Sequence, residues 1–297
     1  MNSYSGKIDK SQVLELEKIF EADGALFLKP QYTIFQARIM DSVITFYESG
    51  KFVIQGKNTD TILENYFNFK NKEDKKDKLA NISYPHIGID ESGKGDFFGP
   101  LVIAGVLLNE EDAKYCEKLG IKDSKKLDDK KILALADEIK DKFIHNIVTI
   151  GNTRYNELYT KFKNLNRLLA WGHSTVLENI LEKKECEIAI SDKFGDEKFI
   201  LSSLKEKGSK IKLIQETKAE RDMAVAAASI IARAEFVKNI SKLGMKYEMN
   251  FPKGASDKVI EAGHKFSDKY GAEELKHVAK LHFKTTQNLK SQQGKLF

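Results

Sequence analysis

Residues His86 to Leu108 read HIGIDESGKGDFFGPLVIAGVLL: an apolar run into two adjacent carboxylates, a glycine-rich turn, then a longer apolar run. Apolar runs of this length bounded by glycine and acids read as strands buried on both faces. Two strands joined so closely pair antiparallel, whereas the later strands, at Glu187 to Asp192 and Lys210 to Gln215, are separated by helical patterns and read as a parallel βαβ half. With a further strand at His145 to Gly151 and helices at Asp128 to Phe143, Leu165 to Lys183 and Ala219 to Lys242, residues 83–297 form an α/β domain with a mixed sheet. The alanine-rich stretch Thr217 to Arg233 is read as a helix able to approach that sheet closely.

Upstream, the polar run NKEDKKDK at Asn71 to Lys78 has no apolar anchor and marks a linker over residues 71–82. Before it, residues 1–70 contain a helical pattern at Val13 to Phe20 after the cap candidate Ser11. Strands follow at Tyr32 to Met40, Val43 to Tyr47 and Phe52 to Gln55, with a helix from Thr59 to Phe69. This predicts a small α+β domain with helices on one sheet face and the other face free for a partner.

The chain has 297 residues, comfortable for two domains, and 41% apolar residues, about 47% with its 19 glycines, which excludes wholesale disorder. Its apolar stretches are too short to span a membrane, and the polar start Met1-Asn2-Ser3-Tyr4-Ser5 has no signal-peptide core. A cytoplasmic chain is expected. Cys116 and Cys186 lack metal-ligand spacing and are read as reduced packing residues. The net charge is +5, and residues 242–297 alone carry that excess, while residues 1–70 sum to −1. Lys253, Lys258, Lys265, Lys269, Lys276, Lys280 and Lys284 could therefore face a polyanion, or merely solvate a helical face.

Asp90 and Glu91 close one strand, and Asp192 closes another, with Asp196 four residues on. Acids at the carboxyl ends of strands stand where α/β sheets build sites, and hard oxygen donors without neighbouring His or Cys favour Mg²⁺ or Mn²⁺. Adjacent strand residues point to opposite faces, so Asp90 and Glu91 share one site only if the strand twists or a cation gathers both. An exposed acidic turn is the bland alternative. Gly88 to Lys94 also fits the spacing G-x-x-x-x-G-K, but Gly95 stands where Ser or Thr belongs and two acids occupy the cradle, so a nucleotide-hydrolase loop is disfavoured. Near the start of the alanine-rich helix, Glu220 reads either as an N-terminal charge or as a fourth ligand. His86, His173, His264, His277 and His282 receive no role, and Trp171, Phe97 and Phe98 are assigned to the core.

Together, Asp90-Glu91-Ser92-Gly93-Lys94-Gly95-Asp96-Phe97-Phe98-Gly99-Pro100-Leu101, Asp123-Ser124-Lys125-Lys126-Leu127 and Ala226-Ala227-Ala228-Ser229-Ile230-Ile231-Ala232-Arg233 resemble ribonuclease HIII, of the type 2 ribonucleases H. Enzymes of the related HII class generally carry arginine between the two glycines and lack an N-terminal extension, so Lys94 and residues 1–80 point to HIII. The resemblance implies a ribonuclease H-like domain behind a TATA-binding-protein-like domain, and a monomeric endonuclease acting on the RNA strand of RNA/DNA hybrids. It implies 5′-phosphate and 3′-hydroxyl products. Asp90, Glu91 and Asp192 match the family's metal-binding acids, Asp196 matches the fourth in the HIII pattern, and Glu220 stands where HII enzymes carry an aspartate. The same resemblance makes Ser92, Gly93, Lys94 and Gly95 substrate contacts, with the glycine amides meeting 2′-hydroxyls, and Ser124 and Lys125 phosphate contacts. A non-catalytic nucleic-acid-binding protein is the competing reading.

Overall fold

A computed structural model describes residues 2–67, 79, 82–121, 127–194, 197–204 and 207–293. The chain divides into two compact units, Met1–Asp77 and Lys78–Phe297. The polar run expected to link them, residues 71–78, lies outside the described residues.

The first unit runs β1 (Asn2–Lys7), α1 (Lys10–Ala22), β2 (Leu26–Leu28), β3 (Thr33–Ile39), β4 (Ser42–Tyr47), β5 (Lys51–Gly56) and α2 (Thr59–Tyr66). Its five-stranded sheet is antiparallel, in the order β1-β5-β4-β3-β2. Phe35, Ala37, Ile44, Phe46, Phe52 and Ile54 alternate along β3 to β5 and meet Val13, Leu16 and Phe20 of α1 and Ile62 of α2 in one core. The two outer strands were not expected. β1 is polar and β2 has three residues, so neither carries a periodic apolar signal. One helix cap also differs from expectation: Asp9, not Ser11, precedes α1.

The second unit contains β6 (His86–Ser92), β7 (Leu101–Leu108), α3 (Glu110–Lys118), α4 (Asp129–Lys142), β8 (His145–Ile150), α5 (Asn152–Phe162), α6 (Leu165–Leu181) and β9 (Ile188–Asp192). It continues with α7 (Glu197–Leu201), β10 (Lys212–Glu216), α8 (Met223–Tyr247), α9 (Asp257–Tyr270) and α10 (Lys284–Gln293). The sheet order is β10-β9-β6-β7-β8, with β6-β7 and β7-β8 antiparallel and β6-β9 and β9-β10 parallel. The meander and the parallel half expected from the sequence therefore meet at β6. Every residue of β7 is buried: Val102, Ala104, Val106 and Leu108 face α3, α4 and α8, and Leu101, Ile103 and Leu107 face α5 and α6.

α8 lies unusually close to the sheet. A Cβ built on Gly88 would stand 2.1 Å from the carbonyl carbon of Ala224 and the nitrogen of Val225, so only glycine lets the helix backbone rest on β6. The helix also starts later than expected. Residues Ala219–Arg221 form a separate 3₁₀ turn, and Asp222 caps α8 by accepting from the Ala224 and Val225 amides at 3.0 and 3.1 Å. The same carboxylate meets His86 Nε2 at 2.9 Å, tying the start of β6 to the start of α8.

Phe97 and Phe98, expected in the core, are fully buried, but they do not begin a strand. They pack with Tyr247, Phe251, Phe266 and Val278 in a cluster built by the C-terminal helices, and Phe98 forms a lone antiparallel bridge with Ala279. That packing overturns one expectation about the basic segment. Lys280 is fully buried, its Nζ donating to the carbonyls of Asp96 at 2.8 Å and Gly99 at 2.6 Å. Burial pushes its pKa down to about 7, against the opposite pull of the Asp96 charge. Lys253 pairs with Asp129 at 2.7 Å, leaving Lys258, Lys276 and Lys284 among the exposed lysines of this segment.

Gly88→Ala tests the close approach. Overpacking against backbone should cost about 3 kcal/mol, lowering the thermal midpoint by roughly 6–12 °C for a unit of this size. An unchanged midpoint by circular dichroism would show that α8 can lift off the sheet without loss.

Candidate active site

β6 and β9 are parallel neighbours, with Ile89 opposite Ser191, so Asp90 and Asp192 each follow one residue later at the same sheet edge. Alternation along β6 sends Asp90 to the α8 side, in line with Gly88, and Glu91 to the α6 side, in line with Ile89. Ser229 of α8 hydrogen-bonds the Asp90 carboxylate. Asp192 Oδ1 accepts from the Ala219 amide at 3.1 Å. Glu91 is held at both oxygens: Lys94 Nζ donates to Oε1 at 3.2 Å, and His173 Nε2 lies 3.1 Å from Oε2.

These surroundings separate the two adjacent acids. Burial first, then the charge of Glu91 and the weaker one of Asp192, push the Asp90 carboxyl up from 3.8 to about 7, outweighing the Ser229 hydrogen bond. Burial pushes Glu91 upward too, but the hydrogen bond and charge of His173, with those of Lys94, hold it below the ordinary carboxylate range. Asp90 is thus a carboxylate whose ionisation is opposed by burial and by negative neighbours, a condition that a hard cation relieves. The donor set of Asp90, Glu91 and Asp192 fits Mg²⁺ or Mn²⁺ in kind. Among the described residues no group of three or more acids, histidines or cysteines stands close enough to hold an ion by itself.

The turn after β6 distinguishes its two glycines. Gly93 has φ +86°, and a Cβ there would stand 2.2 Å from the Pro100 carbonyl, so the fold itself requires glycine. Gly95 is exposed, with nothing within 4 Å of an added Cβ and no positive φ, so the fold makes no such demand. The missing side chain leaves its backbone open to approach from outside. Ser92 ends β6 half-buried, and Lys94 also sits 5.7 Å from the centroid of the Phe194 ring.

The remaining expected residues are Asp196, Ser124, Lys125 and Glu220. Asp196, Ser124 and Lys125 lie outside the described residues. Glu220 does not begin the long helix; it lies half-buried in the 3₁₀ turn, next to the Ala219 amide that binds Asp192. Two contributors had received no role. Ser229 carried a usable signal, a lone hydroxyl in an otherwise apolar helical stretch. His173 carried none, because an imidazole within the apolar pattern of α6 reads as packing until the strand beside it is known.

Comparison with known proteins adds the family. Residues 87–286 match the family model of ribonuclease HII, and residues 6–79 match a domain of unknown function, DUF3378. Ribonuclease HIII of Protochlamydia amoebophila is 42% identical over 296 residues, covering 97% of each chain, and that of Chlamydia abortus is 42% identical over 279 residues, covering 91% of each. The chain belongs to the ribonuclease HIII family. Solved structures agree: Bst-RNase HIII in complex with Mn²⁺ is similar at a TM-score of 0.68 and 30% identity over 98% of both chains. Aquifex aeolicus RNase H3 is similar at a TM-score of 0.56 and 28% identity over 94% of this chain and 99% of its own. Membership of the ribonuclease HIII family makes the chain a ribonuclease H endonuclease, with its three described acids at the edge where β6 and β9 end.

The crowding at Asp90 has a thermodynamic signature. Without metal, Asp90 holds its proton more tightly in the folded protein than in the unfolded chain between pH 3.8 and about 7, so its own contribution to stability falls as pH rises through that window. Metal-free Asp90→Asn should therefore withstand more urea than the unsubstituted protein at pH 8, with the gap closing toward pH 4. A gap that does not change with pH would show that Asp90 ionises freely.

Proposed function

We propose that this ribonuclease H cleaves the RNA strand of RNA/DNA hybrids with two divalent ions, Mg²⁺ or Mn²⁺, leaving 5′-phosphate and 3′-hydroxyl ends. The observation carrying this reading is the placement of Asp90, Glu91 and Asp192 where β6 and β9 end side by side, with Asp90 held against its own ionisation. The Mn²⁺ complex of a structural relative supports it. When bound, such ions activate water for in-line attack on phosphorus and stabilise the leaving oxygen.

The chain's own residues would hold and orient. Asp90, Glu91, Asp192 and Asp196 would hold the ions, with Glu220 the alternative fourth. The open backbone at Gly95, with Gly93, Ser92 and Lys94 beside it, is placed to read 2′-hydroxyls, the groups that distinguish RNA from DNA. Ser124 and Lys125 are proposed phosphate contacts. In the first unit, the face of the sheet away from its helices carries Ser3, Gln55, Val43, Arg38 and Leu26 in one cross-strand row. Its polar members suit sugar and phosphate contacts, and its apolar ones suit the base edges of a shallow groove. Residues 1–70 are thus proposed as a substrate-binding domain and residues 83–297 as the catalytic one. The exposed lysines of the C-terminal segment would add charge that the first unit lacks. A cytoplasmic monomer with two free cysteines belongs to the same reading.

Cleavage of two labelled duplexes, one with a full RNA strand and one with a single ribonucleotide in DNA, tests this with Mg²⁺ and Mn²⁺ separately. The full hybrid should be cut, and Asp90→Asn should lower that rate by about a thousandfold or more while hybrid binding changes by only a few fold. Binding without cleavage by the unsubstituted chain under both metals would favour the non-catalytic binding protein.

A further inference from the structure

His173 lies on α6 with its side chain fully buried, and both of its ring nitrogens are engaged. Nε2 meets Glu91 Oε2 at 3.1 Å, and Nδ1 meets Ser191 Oγ at 3.2 Å. Ser191 immediately precedes Asp192, and its hydroxyl donates to the Asp192 carbonyl at 3.0 Å. One imidazole therefore connects the acid that ends β6 to the residue before the acid that ends β9. The Phe194 ring packs against it with centroids 4.6 Å apart.

A glutamate at the end of a strand has three side-chain torsions to freeze before it can hold a ligand, and its neighbour Asp90 repels it. Lys94 restrains one oxygen, but from a turn, on a long side chain with 37% of its surface exposed. His173 restrains the other from within a packed helix, where its ring cannot swing away. The carboxylate keeps free lone pairs for a cation while its direction is set.

We propose that His173 is a positioning residue that orients Glu91 and fixes its carboxylate relative to the strand of Asp192 before any cation arrives. This rests on the reading of Asp90, Glu91 and Asp192 as cation ligands. Hydrogen-bond partners of ligating carboxylates typically change metal affinity about 10–100-fold when removed.

The test is calorimetric titration of Mn²⁺ into the full chain without nucleic acid, with the thermal midpoint recorded in metal-free buffer. His173→Leu should bind Mn²⁺ about 10–100-fold more weakly. His173→Gln, whose amide can still donate to Glu91, should recover most of that loss. Ser191→Ala, which keeps the packed ring but removes the link to β9, should weaken binding by a smaller factor and carries the test if His173→Leu does not fold. A lowered midpoint with Mn²⁺ affinity unchanged in His173→Leu, or in Ser191→Ala where the former cannot be made, would overturn the proposal, as would His173→Gln binding as weakly as His173→Leu. Asp90→Asn separates the two levels of the argument: unchanged Mn²⁺ binding in that variant would overturn the ligand assignment itself, and the role of His173 with it.

Discussion

The backbone of α8 rests directly on β6 at Gly88, and most of what defines the catalytic edge depends on that contact. A helix held this near the sheet must be lined by small side chains, which explains the alanines of α8. Small side chains bury little area each, and the loss is offset by close backbone contact, where many atom pairs reach their optimal separation. The geometry then places Ser229 beside Asp90 and turns the preceding 3₁₀ segment so that the Ala219 amide reaches Asp192. Asp222 caps the helix and holds His86, so the same element is anchored at the start of β6 and poised over its end.

The second constraint is electrostatic. Asp90 and Glu91 are neighbours in sequence, and their environments drive them apart: Glu91 has a lysine and a histidine, and Asp90 has a serine and two negative neighbours. Ionising Asp90 in the folded protein is therefore costly. Natural sites keep such destabilising arrangements where function uses them. Lys280 belongs to a comparable economy, since its buried ammonium holds the carbonyls of Asp96 and Gly99 and so braces the turn that carries Gly93 to Gly95.

Much of this was legible in the sequence because β6 and β7 leave strong local signals. A fully apolar run such as Leu101 to Leu108 can be buried on both faces only in a central strand, and helices between later strands imply parallel pairing. Two carboxylates at a strand end with a glycine turn marked the candidate site. What escaped was set by distant contacts. β1 and β2 are edge strands, one polar and the other only three residues long. Lys280 is indistinguishable from its solvated neighbours until the C-terminal segment folds against Phe97 and Phe98. His173 acquires its partner only when α6 packs across β6 and β9. The late start of α8 was missed for a local reason: alanine favours helix so strongly that the break at Asp222 was hidden, although aspartate there is a good cap.

If the acids at the ends of β6 and β9 form one cation site, as proposed, crystals of the chain soaked in Mn²⁺ should give an anomalous manganese signal in contact with the Asp90 carboxylate and flanked by Glu91 and Asp192. Manganese bound elsewhere at saturating concentration, with these three side chains free of it, would rule the shared site out.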